Sequence, residues 1–239
     1  MASPSPKRQL RLTTDHVARL PVIPDPGNPN YPGIRPATDA DYDAEVERII
    51  STAPEGEFWI FAYGSLIWNP ATEFDAERLA TARGWHRNFC LYDLRYRGSP
   101  AAPGLMLCLD RGGSCRGVVY RLPQTRLREN MDKLVRREMS MTPNAFPGRW
   151  ISVATAEGQL TALAFAIERH NARYVGGLTL EQRADQLARA VGWKGSMAEY
   201  VHATVSKLEE LGIHDRNLWV LQDLIAQRIE AAYPADREV

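Results

Sequence analysis

The sequence predicts an α+β protein, a small mixed β-barrel or strongly curved sheet with helices around it. Three observations carry this. Between residues 58 and 123, four runs rich in apolar, β-branched and aromatic residues are separated by Gly, Pro and Ser clusters. Two more such runs, WISVAT and LTALAFAI, follow a helical stretch. Beyond residue 179, apolar residues recur at helical spacing behind cap signals. A chain of 239 residues with 44% hydrophobic content has enough apolar material for one main core.

Taken in order, residues 1 to about 37 include PVIPDPGNPNYPGIRP, a composition that resists regular structure and suits an extended arm. TDADYDAEVERIISTAP then reads as a short helix capped by Thr38 or Asp39, with Pro54 beyond its end. The chain is accordingly divided into an N-terminal extension with a short helix, 1–55, and a main domain, 56–233.

FWIFAY reads as a buried strand, and it runs into Tyr63-Gly64-Ser65-Leu66 with Pro70 close behind, which forbids a long helix there. Gly64 is free to take φ > 0 and has no Cβ. The N–H groups of the turn are therefore expected to approach a bound carboxylate or a developing oxyanion. An ordinary structural turn is the other reading. ARGWHRNFCLYDL, LMLCLD and CRGVVYRL continue the strands.

A helix is expected at about 124 to 140. At about 100° per residue from Leu127, the side chains of Met131, Leu134 and Val135 share one face and Glu138 falls at its centre. Arg136 falls opposite and Arg137 to one flank. A carboxylate facing a core is costly, and Pro143 should end the helix close by, where the macrodipole is negative. Both effects raise its pKa, as general acid–base chemistry near neutral pH requires. A buried salt bridge to Arg137, Arg97 or Arg87 is the alternative. Farther on, Thr179-x-x-Gln182 and Ser196-x-x-Glu199 fit capping boxes, and Gly192 and Gly212 sit at expected helix ends. Asp215 opens a last helix with the stripe Leu218, Leu221, Leu224, Ile225 and Ile229.

Formal net charge is zero and no basic run stands out, which argues against nucleic acid or an anionic membrane as the main partner. No apolar run is long enough to span a bilayer, and MASPSPKRQLRL lacks the apolar region of a signal peptide, so a cytoplasmic protein is expected. Cys90, Cys108 and Cys115 are odd in number with no C-x-x-C spacing and read as free, mostly buried thiols. The five histidines form no ligand pair, so neither a metal nor another cofactor is expected.

FAYGSLIWNP, GWHRNFCLYDLRYRGSPAAPG, GVVYRLP, RREM and NARYVGGLTLEQ…GSMAEYV…LEELGIHD stand in one order. With these motifs the sequence resembles the ChaC-like γ-glutamylcyclotransferase family from about Phe58 to about Leu224. The resemblance implies a small mixed barrel with helices and a cofactor-independent reaction. In that reaction the γ-glutamyl bond of glutathione is cleaved by cyclisation, releasing 5-oxoproline and cysteinylglycine. It implies that Glu138 is the catalytic acid/base and that the substrate-binding loop is the Tyr63, Gly64, Ser65 and Leu66 turn, with Ile60, Phe61 and Ala62 leading into it. Arg97 and Tyr174 are further substrate-binding candidates. Two departures are visible: Ala62 stands where the family often has Gly, and MSMTPNAFPGRW lacks the Gly-Gly-Tyr of many members. A cyclotransferase for other γ-glutamyl amines, and a non-enzymatic regulator of cation transport, stay open at this point.

Overall fold

The computed structural model describes residues 9–234. In chain order the elements are α1 (Thr14–Ala18), β1 (Arg35–Pro36), α2 (Asp39–Ser51), β2 (Trp59–Ala62), α3 (Ser65–Trp68), β3 (Ala76–Asp93) and β4 (Gly104–Arg121). They continue with α4 (Leu127–Glu138), β5 (Met141–Thr142), β6 (Gly148–Thr155), β7 (Gly158–Phe165), α5 (Leu180–Leu187), β8 (Val191–Gly192), β9 (Gly195–Ser196), α6 (Met197–Glu210) and α7 (Arg216–Ala232). The chain forms two compact units, one built from residues 28–91 and 107–176, the other from residues up to 27, 92–106 and 177 onward.

The first unit holds a closed barrel in the order β2-β4-β3-β6-β7. β2 is antiparallel to β4, with Ile60 opposite Tyr120 and Phe61 opposite Val119, and parallel to β7, with Ile60 opposite Leu163. This parallel pairing makes the barrel mixed, as the sequence predicts. Its interior alternates large with small: Trp59, Phe61 and Trp85 are accommodated by Ala80, Ala82, Ala162, Ala164 and Ala166. A barrel of five strands is too narrow for large residues at every inward position. β2 is buried at all four positions, and Ile60 shares a cleft with Leu134 of α4, so FWIFAY reads as a continuous apolar run rather than an alternating one. α2 starts at a Thr38 cap, with Asp41 returning the bond to the cap N–H, and packs on α4.

The second unit is mainly helical. Thr179 and Gln182 close the expected capping box on α5, Ser196 caps α6 and Asp215 caps α7. Gly212 takes φ +67° just past the end of α6, the left-handed stop that glycine favours.

Three sequence expectations are corrected. Residues 9–27 are not simply an extended arm: Leu12 is fully buried, its N–H bonds Gln222 Oε1 at 2.9 Å, and α1 packs against α6 and α7. LMLCLD and CRGVVYRL are one strand, β4, in which Gly112 and Gly113 take φ of +110° and +69° and bend the backbone without ending it. Gly192 is no helix cap. It lies in β8, where a Cβ would come within 2.3 Å of the Tyr96 backbone. The helix expected at about 124–140 is present, a 3₁₀ turn at Gln124–Arg126 leading into α4, which ends at Glu138. All three cysteines are free and buried.

Candidate active site

β2 ends at Ala62, and the chain is then held by Tyr63 at both ends of that residue. The Tyr63 hydroxyl donates to the Phe165 carbonyl at 2.8 Å, and the Tyr63 carbonyl accepts from Arg87 Nε at 2.6 Å. Arg87 is 7% exposed and also donates through Nη2 to the Arg116 carbonyl, so one buried guanidinium ties the turn to two strands of the barrel. Gly64 does not use the left-handed region open to it. It sits at φ −135°, ψ −128° as the residue before α3. The sharp turn is the start of a four-residue helix, closed by Ile67 N–H to Gly64 O at 2.9 Å and Asn69 N–H to Ser65 O at 2.8 Å. Those bonds leave the N–H groups of Ser65 and Leu66 unused by the turn itself, as at any helix start. Pro70 follows at once, which accounts for the shortness of the helix.

α4 presents Met131, Leu134 and Val135 to the core, and Glu138 continues that face as the last helical residue. Its side chain is 19% exposed. Desolvation raises its pKa above the ordinary carboxylate value, and the neighbouring Arg137 charge works in the opposite direction without cancelling it. The negative end of the helix acts in the same sense as burial.

Arg137 connects these two parts. Its Nε lies 3.3 Å from Glu138 Oε1, its Nη2 donates to Ser65 Oγ at 2.9 Å, and its Nη1 donates to the Asn69 carbonyl. Of the three arginines weighed as salt-bridge partners for Glu138, Arg137 is the one in place. Arg87 holds Tyr63, and Arg97 bonds Glu199 Oε2 at 2.7 Å and the Ser196 carbonyl at 2.9 Å.

The other predicted residues divide in their placement. Ile60 and Leu66 line a small cleft with Phe74, Tyr120 and Leu134, and Leu134 is one turn before Glu138 on the same helical face. Phe61 and Ala62 are fully buried, with Phe61 in the barrel core, so their side chains serve packing and only their backbone leads into the turn. Arg97 belongs to the helical unit, where it also lies over the Tyr200 ring. Tyr174 directs its hydroxyl to Asp110 Oδ2 at 3.0 Å, and burial together with that carboxylate pushes its pKa up to about 12. Asp110 is 1% exposed and also receives Arg169 Nε, Asn88 Nδ2 and its neighbour's N–H, which together hold it ionised.

Sequence reasoning assigned Arg87 no place in the turn, although a signal for it exists: Trp85, Arg87 and Phe89 alternate along β3, which puts the arginine on a buried face. Asp110 closes the LMLCLD run, where an acidic residue reads as a strand end.

A family described as "ChaC-like protein" matches residues 58–228. The glutathione-specific gamma-glutamylcyclotransferase of Escherichia coli (strain K12) is 36% identical over 165 residues, 69% of this chain and 71% of that protein. Glutathione-specific gamma-glutamylcyclotransferase 1 of Mus musculus is 29% identical over 73% of this chain and 81% of its own length. Among solved structures, the yeast glutathione-specific γ-glutamyl cyclotransferase superposes with a TM-score of 0.65 at 21% identity, covering 73% of this chain and 97% of that one, a likeness of fold. The match over residues 58–228, which takes in β2, the Tyr63–Leu66 turn, α4 and Glu138, shows that this chain belongs to the ChaC-like protein family.

Proposed function

We propose that the protein cleaves the γ-glutamyl bond of glutathione by intramolecular cyclisation, releasing 5-oxoproline and cysteinylglycine, with Glu138 as the acid–base group. The observation that carries this is the joining of Glu138, a desolvated carboxyl at the end of α4, to the Tyr63–Leu66 turn through Arg137. The names of the relatives supply the substrate.

The residues suit the chemistry. The substrate's α-amine attacks its own γ-carbonyl carbon, a C–N bond forms to close the lactam, and the bond to the cysteinyl nitrogen breaks. Over the cycle the α-ammonium loses two protons and the departing nitrogen gains two, so one carboxyl that relays each proton in turn completes the balance. A carboxyl with a raised pKa is suited to both halves of that relay. The Ser65 and Leu66 N–H groups are oriented as helix-start donors for a substrate carboxylate or the tetrahedral oxyanion. Ile60 and Leu66 give the glutamyl chain an apolar wall, while Tyr174 remains a candidate for a contact farther along the substrate. Free, buried cysteines suit a reducing compartment, and the cytoplasm is the location proposed. Among the described residues no helix is long and apolar enough to cross a membrane.

The test is incubation of the purified protein with glutathione, in parallel with γ-glutamyl-lysine-type amines, scored for 5-oxoproline and the released amine. Turnover of glutathione above the γ-glutamyl amines is expected, and the reverse preference would move the assignment to another γ-glutamyl substrate. Since the attacking nitrogen belongs to the substrate, enzyme quenched during turnover should show no γ-glutamyl adduct by mass spectrometry. Ser65→Ala should lower the rate by about tenfold, the scale of one lost hydrogen bond. An adduct on Ser65 or a cysteine would replace this mechanism with an acyl-enzyme route.

A further inference from the structure

We propose that Arg137 is a positioning residue that sets the Glu138 carboxylate in register with the Tyr63–Leu66 turn, because one guanidinium holds Ser65 Oγ, the Asn69 carbonyl and Glu138 Oε1 at once. This rests on Glu138 being the acid–base group. A planar fork that donates to two acceptors while its Nε stands 3.3 Å from Glu138 Oε1 fixes both distance and orientation, which a single-point ammonium cannot do. Its two acceptors lie at the ends of α3, and its ion-pair partner is the last residue of α4. The guanidinium therefore spans the gap between the part of the site that binds and the part that moves protons.

The charged groups around Glu138 make the role specific. On α4, Arg136 is engaged by Asp132 and by Asp39 of α2, Lys133 by Glu129, and Arg128 by Glu47 of α2. α3 carries no charged side chain. Arg137 is the charge that acts on the Glu138 carboxyl, and it does so against desolvation. Its charge favours the ionised carboxylate while its Nη groups hold the turn.

Two variants separate charge from geometry. Arg137→Gln removes the charge. The acid limb of kcat/KM should move to higher pH by about one unit, as loss of a close opposite charge requires. Arg137→Lys retains charge but not the fork. Its limb should stay near the parent's while kcat falls by about 10–100-fold, the scale of a misplaced catalytic group, with KM changed less. NMR titration of the Glu138 side-chain carboxyl, assigned by its disappearance in Glu138→Gln, gives the same shift independently of turnover. An unmoved Glu138 titration in Arg137→Gln, or parental kcat in Arg137→Lys, would overturn the proposal. If Arg137→Gln does not fold, kcat and the titration in Arg137→Lys decide alone. An active Glu138→Gln enzyme would instead remove the acid–base reading itself.

Discussion

Glu138→Gln is expected to lower kcat for 5-oxoproline formation by about 10²–10⁴-fold, the usual contribution of a general acid–base group. Glutathione binding should be largely retained. The amide has nearly the same shape and stays within reach of Arg137, but it cannot take a proton from the α-ammonium or return one to the leaving nitrogen. Calorimetric titration with glutathione and thermal melting distinguish this from a folding defect. A variant with near-parental kcat removes Glu138 from the chemistry, and one that fails to fold makes it structural.

The same substitution carries a pH signature with a definite sign. The Glu138 pKa is raised on folding, so the folded protein holds that proton more tightly than the unfolded chain does. The resulting destabilisation is absent below the unfolded pKa, grows as pH rises towards the folded pKa, and is complete above it. Glutamine carries no such term. The melting temperature of the variant minus that of the parent should therefore increase from pH 4 towards pH 8, and a difference that falls over that range would contradict a raised pKa. In the parent enzyme the acid limb of kcat/KM should lie above the ordinary carboxylate value of 4.5.

The fold was legible in the sequence where one local pattern determines one structure. The Thr38, Thr179, Ser196 and Asp215 caps were visible because a short oxygen-bearing side chain ahead of an apolar repeat has few other uses. Glu138 was visible because helical periodicity places it among residues the core requires. What was not legible depends on distance in space. Glycine signals only that the backbone is free: Gly112 and Gly113 bend a strand they were read as breaking, Gly192 lies in a strand, and Gly64 does not use the left-handed region available to it. A helical wheel gives the direction of a Cβ and not the reach of a long side chain. Arg137, assigned to the flank, thus spans the turn and the carboxylate from the last turn of α4. Arg87 was visible as a residue but not in its role, because its acceptors are carbonyls, and any residue supplies a carbonyl.

Arg87→Met is expected to cost about 1–3 kcal/mol of stability, the range for leaving a buried polar group without its donor. The reasoning starts from what the guanidinium leaves behind. The Tyr63 carbonyl at the end of β2 and the Arg116 carbonyl in β4 each accept from it. A buried carbonyl stripped of its donor loses about 1–3 kcal/mol. Methionine fills much of the volume and isolates the loss of donors from the loss of packing. Arg87→Lys should recover little, since one ammonium has to choose between two carbonyls that the fork reaches together. The effect should extend to catalysis, because the Tyr63 carbonyl then loses its bond to Arg87 and the turn ahead of Ser65 loses that tie to β3. Below its melting temperature Arg87→Met should therefore show a raised KM for glutathione alongside reduced kcat, in contrast to Glu138→Gln, which affects kcat alone. Urea unfolding of the parent and both variants measures the first effect and steady-state kinetics the second. A midpoint for Arg87→Met that coincides with the parent's would mean that the Tyr63 carbonyl does not depend on Arg87 for its place in the fold.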